Sequence, residues 1–344
     1  MKKLRYFSIY CVALILLKIF RILPRCSVKI VAVIIGNSIA ALSKRNMKMA
    51  CANIKIAFPE LSDKEHRRIA KASFRNLIRN MGEFIWMAGV AKRIERCTWL
   101  SPEITAMLRG HVERGERIIF ITPHLGSWEA SGIMAPHFAG VNMVAIAKPQ
   151  SNPYVNKLLN EFGRESEKGL KIIFRRGAVR AALGAIRDGL SLGTLIDQNT
   201  RVRDGGVMVD FFGLKVFSSA SPSVIKAYCE KNDIPVVMLY AACIRDDDGV
   251  IHARAEYLSK PFAEYADSTE MLNELMAYTE KYIRLYPEHY LWAYPRFRYI
   301  PMEATEEEAS RYPDYAERTT EKFYRKGAVA RREWAEKTAE IDEE

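Results

Sequence analysis

The chain has 344 residues, 49% hydrophobic and 10% aromatic, enough to bury a sizeable core and too apolar for a disordered or low-complexity chain. Its six cysteines (11, 26, 51, 97, 229 and 243) form no C-x-x-C pair, which excludes a disulfide scaffold and points to reduced thiols. The net charge of +11 is uneven, with ten Lys/Arg in residues 1–48, no acidic residue before Glu60, and thirteen acidic against eight basic residues in 301–344; such a basic body suits nucleic acid, anionic lipid or an acidic protein.

Two apolar runs open the chain, Tyr6 to Phe20 and Val28 to Leu42, separated by Arg21-Ile22-Leu23-Pro24-Arg25. Neither reaches the roughly 20 apolar residues of a comfortable bilayer span. No A-x-A site ends the stretch, as a cleaved signal peptide would require. The segment reads as a retained anchor lying in or just through a membrane, with cations that favour the cytoplasmic leaflet; a buried helical hairpin is the competing reading. A helix is predicted over 62–90, with Ser62 and Glu65 in capping-box spacing and an apolar stripe of Ile69, Phe74, Leu77, Ile78, Met81 and Ile85.

Short apolar runs then alternate with helical stretches. Strands are expected at Arg117–Thr122, Asn142–Ala147, Leu170–Phe174 and Leu192–Ile196, and helices from about Trp128, at Ala178–Arg187 and at Ser221–Cys229. Pro235–Arg245 and Val250–Tyr257 flank Asp248-Gly249, a hairpin signal, and a helix over Met271–Leu285 follows. The pattern predicts an α/β fold: a layered mixed β-sheet flanked by helices, with an N-terminal membrane-associated helical segment. Three regions follow: an anchor at 1–45, a catalytic domain at 46–300, and a charged tail at 301–344 that is helical or partly disordered.

The informative stretch is Ile118 to Gly132, IIFITPHLGSWEASG. A strand runs into a Pro-His loop and a helix follows, so His124 sits where substrates meet an α/β sheet. A neutral imidazole there can take a proton from a hydroxyl, and Glu129, five residues on, can fix its tautomer or bind substrate. Asp197 and Gln198 end another strand on the same side. Asp210-Phe211-Phe212-Gly213 reads equally as pocket lining or as core. Lys148, Arg175, Arg176, Arg201 and Arg203 are cations near strand ends. No G-x-S-x-G elbow, P-loop or G-x-G-x-x-G fingerprint occurs, which favours direct transfer over a covalent enzyme intermediate; no cofactor or metal is expected. No nucleic-acid module is recognisable.

Five collinear blocks resemble the late acyltransferases of lipid A biosynthesis, the lauroyl/myristoyl transferase family, from about residue 5 to 300. They are N-I-x-x-A-F-P-E-L-S at 53–62, H-L-G-S-W-E at 124–129, K-P-x-x-N-P at 148–153, Asp197-Gln198 with F-F-G at 211–213, and N-E-L to P-E-H-Y-L-W-x-Y-P-R-F-R at 273–298. The resemblance implies a glycerolipid acyltransferase-like fold on the cytoplasmic face of a bacterial inner membrane. It implies transfer of a fatty acyl chain from acyl carrier protein to a hydroxyl of a glycolipid. His124 would be the general base and Glu129 its dyad partner. Lys148, Arg176, Asp197, Gln198 and Arg296 would bind substrate, and Trp128, Phe211 and Phe212 are candidates to line an acyl pocket. Two departures stand out: Lys148 replaces the family's usual Arg, and Trp292-Ala293-Tyr294-Pro295-Arg296-Phe297 replaces W-x-H-R-R-F.

On this reading His124 deprotonates the acceptor hydroxyl as it attacks a thioester, and Lys148 or backbone N–H groups near Gly126 stabilise the oxyanion. Two alternatives compete with it: the same chemistry on a lysophospholipid or other membrane lipid, and a non-catalytic membrane-associated scaffold.

Overall fold

A computed structural model describes residues 2–149, 152–162, 168–174 and 177–324. Arg175, Arg176 and the final stretch 325–344 of the tail lie outside the described residues. The chain opens with helices α1 (Lys2–Ile22), α2 (Arg25–Leu42), α3 (Lys44–Ala57), α4 (Asp63–Met87) and α5 (Ala91–Cys97). The sheet domain continues β1 (Thr98–Trp99), α6 (Pro102–Glu113), β2 (Arg117–Thr122), α7 (Trp128–Ala139), β3 (Met143–Ala147), α8 (Pro153–Phe162), β4 (Leu170–Phe174), α9 (Ala178–Arg187) and β5 (Ser191–Leu195). It ends with the hairpin β6 (Gly206–Phe211) and β7 (Leu214–Ser219), then α10 (Ser221–Lys231), β8 (Val236–Arg245), β9 (Ile251–Tyr257) and α11 (Ser268–Leu285).

Seven strands form one sheet in the order β1-β9-β8-β2-β5-β3-β4. Only the β8–β9 pair is antiparallel. The α/β alternation produces the parallel strands, and the Asp248-Gly249 turn, with Gly249 at φ 80°, produces the one reversal. Alternate side chains feed two separate cores. Ile119 and Ile121 of β2 join Tyr240 of β8 and Leu275 of α11 on one face, while Ile118 and Phe120 meet Met134 of α7 on the other.

The N-terminal helices cover the side of this domain. Val28, Ala32, Gly36 and Ala40 are buried at four-residue spacing along α2, against α4. A Cβ on Gly36 would lie 2.7 Å from the Arg75 Cα, so the two helices touch at backbone distance. The opposite side of α2 exposes Ile30, Val33, Ile34 and Ile35. Among the described residues, α2 is the one helix long and apolar enough to cross a membrane by length and composition. In the fold it is neither a buried hairpin nor free of the domain: one face is docked lengthwise and the other is bare. α4 starts on the expected capping box, with Ser62 Oγ accepting from Glu65 N and Glu65 Oε2 accepting from Ser62 N.

Two expectations change. Phe211-Phe212-Gly213 is the tip of the β6–β7 hairpin, whose two-residue turn puts Phe212 at φ 50° and Gly213 at φ 72°. The described part of the tail, residues 301–324, packs on the domain. Tyr299–Ile300 pairs with Glu317–Arg318, Arg311 donates to the Gly213 carbonyl, and Phe323 is buried against Phe217 and Tyr299.

Candidate active site

β2 lies in the middle of the sheet, and its carboxyl end delivers Pro123 to Ser127 before α7 begins at Trp128. Hydrogen bonds to its main-chain groups hold this loop. Leu291 N–H donates to the His124 carbonyl (3.1 Å), Gly126 N–H to the His289 carbonyl (3.0 Å), Ser127 N–H to the Cys243 carbonyl (2.6 Å), and the Asn80 side chain to the Gly126 carbonyl (2.8 Å). Gly126 is required twice over: its φ is +65°, and a Cβ there would collide with the Cys243 carbonyl.

The imidazole of His124 is fixed by Asp197. Asp197 Oδ1 lies 2.7 Å from Nδ1, and Oδ2 accepts the His124 backbone N–H at 2.9 Å. On the other side of the ring the Gln198 amide nitrogen is 3.1 Å from Nε2. One protonation pattern satisfies all three contacts, with Nδ1–H donated to Asp197 and Nε2 accepting from Gln198. Asp197 is 2% exposed. Burial pushes its carboxyl up, but the electrostatic attraction of the His124 imidazole, strongest when that ring is protonated, the two hydrogen bonds from the same residue and the Arg296 charge outweigh this, so Asp197 stays below its ordinary range. The carboxylate bonded to the imidazole is thus Asp197, which arrives from the end of a different strand. Glu129 lies further along, in the wall of the cleft.

That cleft has a volume of about 1100 Å³ and runs over the α6–α7 face of the sheet. Its floor is set by strand alternation: Phe120, Ala145, Gly193, Ala241 and Ala253 all line it, and small residues leave the room. Ile104 and Leu108 of α6 and Met134 of α7 close the apolar part. Its other part is polar, with Lys148, Arg180, Gln198, Asn199 and Arg203 among the lining residues.

The residues singled out from sequence divide accordingly. His124, Trp128, Glu129, Lys148 and Gln198 line the cleft, and the Trp128 ring meets His124 edge-on at 5.2 Å between centroids. Asp197 sits behind His124. Arg296 is 1% exposed: it donates to the Phe217 carbonyl and to Asn199 Oδ1, and stacks over Phe211, so it braces the site from the core. Phe211 and Phe212 pack in the other core, against Phe297 and Phe58, because the hairpin tip turns towards α11. Arg176 lies outside the described residues. The N–H groups of Gly126 and Ser127, suggested as oxyanion donors, are both spent on carbonyls within the fold. Lys148 is the cleft-lining candidate that remains of the two.

Sequence reasoning passed over Asn80 and Tyr290, and noted Tyr294 only as a departure from the family pattern. The Tyr290 hydroxyl lies against Asp197, and the Tyr294 hydroxyl accepts the Asn199 backbone N–H at 2.8 Å. Tyr294 stands where the resemblance expects His, so at this position the chain uses a hydroxyl to hold the loop after β5. Asn53 of the upstream N-I-x-x-A block donates to the Trp292 and Tyr294 carbonyls, which explains why blocks 240 residues apart occur together.

A carboxylate-aligned histidine at the carboxyl end of a mostly parallel sheet, opening on a cleft with one greasy and one polar part, is the arrangement of an enzyme that moves a proton beside a lipid-like substrate. The comparisons specify which. The profile of the family described as "Bacterial lipid A biosynthesis acyltransferase" matches residues 1–299, and the chain belongs to that family. It is 24% identical over 266 residues to a protein named lipid A biosynthesis myristoyltransferase from Escherichia coli, covering 75% of this chain and 77% of that one. The same identity and coverage relate it to lipid A biosynthesis acyltransferase 1 of Shigella flexneri. The chain is therefore an acyltransferase of lipid A biosynthesis, and residues 300–324 form a described extension beyond the family match.

Proposed function

We propose that the enzyme moves a fatty acyl chain from an acyl carrier protein thioester to a hydroxyl of a lipid A precursor, with His124 as general base. The observation that carries this is the His124 ring itself: Nδ1 is committed to Asp197, and Nε2, on the cleft side, carries the lone pair that accepts from Gln198 and that the acceptor hydroxyl takes over when it binds. The acceptor hydroxyl loses its proton to Nε2 as its oxygen attacks the thioester carbonyl. The tetrahedral oxyanion collapses, the C–S bond breaks, and the proton leaves with the carrier thiolate. Base catalysis of this kind is worth about 10²–10⁴-fold. Lys148 is assigned to the oxyanion, where a well-placed donor is worth roughly 2.7–4 kcal/mol. Asp197 fixes the tautomer, and Glu129, in the cleft wall, is assigned to the substrate.

The acyl chain is assigned to the apolar part of the cleft between α6, α7 and the sheet, with Trp128 at its entrance. The glycolipid headgroup is assigned to the polar part, where Lys148, Arg180 and Arg203 supply positive charge. The bare faces of α1 and α2 rest in the cytoplasmic leaflet, with Lys18 and Lys29 at the headgroups. The acidic carrier protein is steered by the basic body, so turnover falls as ionic strength rises.

The decisive test is mass spectrometry of membrane glycolipids from cells with and without the gene, complemented by wild type or His124→Ala. Loss of one acyl chain from lipid A, restored by wild type alone, supports both acceptor and base. An unchanged lipid A with an altered phospholipid keeps the chemistry and moves the acceptor. No lipid change overturns the reading in favour of a scaffold.

A further inference from the structure

One buried polar cluster lies outside the catalytic assignments. Asn80 and Glu83, one turn apart on α4, share a face that looks towards β8 and the site loop. Glu83 is fully buried, and its carboxylate receives Arg25 Nε (3.4 Å), Arg79 Nε (3.2 Å) and, at close range, Arg245 Nη2. The same Arg245 nitrogen donates to Asn80 Oδ1 at 3.0 Å. Arg245 Nη1 and Arg25 Nη2 both donate to the Gly249 carbonyl. Asn80, 5% exposed, then spends its own N–H on the Gly126 carbonyl, two residues from His124.

Burying one carboxylate among three guanidinium groups is a poor way to gain stability, since apolar residues of the same volume fill such a space at least as well. It does fix orientation. The other partners of the loop's main chain at 124, 126 and 127 are backbone groups, apart from Asp197; Asn80 is the side chain that holds Gly126. Its amide has one orientation available, because Arg245 is a donor and so claims the oxygen, which turns the nitrogen towards Gly126. Arg25 is the first residue of α2, so the same cluster ties the N-terminal helices to the loop.

We infer that Asn80, oriented by Arg245 and Glu83, is a positioning residue for His124, and that through Arg25 the docking of the N-terminal helices sets the geometry of the base. This rests on the assignment of His124 as the base. Asn80 touches no substrate; it acts through the Gly126 carbonyl.

The test uses full-length enzyme in vesicles, with Asn80→Ala, Asn80→Asp and Arg25→Ala. Turnover is read with myristoyl-acyl carrier protein and an under-acylated lipid A precursor. Asn80→Asp keeps the acceptor for Arg245 and removes the donor to Gly126, setting a carboxylate oxygen against that carbonyl, so its melting temperature falls and kinetics are read below the transition measured by circular dichroism. Both Asn80 variants are expected to lose about tenfold in kcat, the worth of one buried hydrogen bond, with KM for either substrate within about twofold. Arg25→Ala is expected to lower kcat less, with vesicle binding unchanged. A second readout needs no substrate: the low-field proton resonance of His124 Nδ1–H moves in Asn80→Asp. Unchanged kcat and an unmoved resonance in Asn80→Asp overturn the inference, even if Asn80→Ala does not fold. A wild-type enzyme inactive on both substrates defeats the functional assignment instead, and the resonance alone then decides the positioning role.

Discussion

Asp197 holds His124 by two atoms of the same residue, accepting the ring Nδ1–H through one oxygen and the backbone N–H through the other. Rotating the ring alone therefore breaks one bond while the loop stays pinned by the second. Asp197→Asn replaces an acceptor-only group with one that offers an N–H, which favours the tautomer whose proton sits on Nε2. We expect kcat to fall by about 10²–10⁴-fold, with substrate KM little changed. Steady-state kinetics of Asp197→Asn beside Glu129→Gln checks it: Glu129→Gln is expected to act more on KM. A full-speed Asp197→Asn would remove Asp197 from the mechanism.

Gly126→Ala should be among the most damaging single-methyl additions in the chain. The new carbon meets a backbone carbonyl with nowhere to go, in a left-handed conformation that costs about 1–3 kcal/mol by itself. We expect a lower melting temperature and no measurable turnover. Circular dichroism melts compared with Gly115→Ala, where the φ is similar but no atom lies within 4 Å, separate collision from backbone strain.

The floor of the cleft offers a chain-length test. Ala241 lines it from β8, beside Cys243 and Phe120. Ala241→Leu should fill part of the apolar lane and move the preferred donor to a shorter acyl chain. The change in kcat/KM should be about 1–3 kcal/mol per methylene excluded. Competition between carrier-bound chains of 10 to 16 carbons measures it. An unaltered ranking would place the chain elsewhere.

His289 makes stability depend on pH. Burial, and then the nearby charges of Arg245 and Arg79, push its pKa down to about 4. In the unfolded chain the imidazole takes a proton near pH 6.5, whereas the folded one stays neutral down to about 4. The unfolded state thus binds more protons across that window, and stability present above pH 6.5 is lost as pH falls. The loss should reach about 2 kcal/mol by pH 5. Denaturation at pH 7.5 and pH 5 should show this drop in wild type and a much smaller one in His289→Phe.

Ile30 and Ile34 stand on the bare face of α2, one turn apart. Replacing both with Glu should release the enzyme from anionic vesicles without disturbing the small-residue contact between α2 and α4. Co-sedimentation checks binding, and turnover on a detergent-dispersed acceptor checks that the site survives. Retention on vesicles would assign the membrane contact to another surface.

Much of this molecule could be read from the chain. Alternating apolar runs marked β2, β3, β4, β5, β8 and β9 but not β1 or the β6–β7 hairpin, Ser62 and Glu65 marked their helix, and Asp248-Gly249 marked the reversal between β8 and β9. His124 was visible because a strand, a Pro-His loop and a helix start coincide there. Asp197 was visible as a strand end, but its pairing with His124 was not, because Glu129 is five residues away and Asp197 is seventy-three. Separation in sequence carries no information about which carboxylate a ring reaches across a sheet. Phe211 and Phe212 stayed open between pocket and core for a related reason: an aromatic pair before glycine fits either, and only strand register decides. Asn80 and Glu83 sat inside a stripe whose apolar members drew the attention, and a polar residue on a buried helix face shows its purpose only once its partners arrive from 245 and 126.

The site loop is stapled by main-chain partners from Cys243, His289 and Leu291, which the ribosome makes long after His124 itself. A chain ending at residue 198 already contains Asn80, His124, Asp197 and Gln198, yet it lacks all three of those main-chain partners. The loop therefore gains its full set of main-chain bonds only after the segments carrying Cys243 and residues 287–292 have been made, so the last third of the chain completes a site whose side chains lie in the middle third.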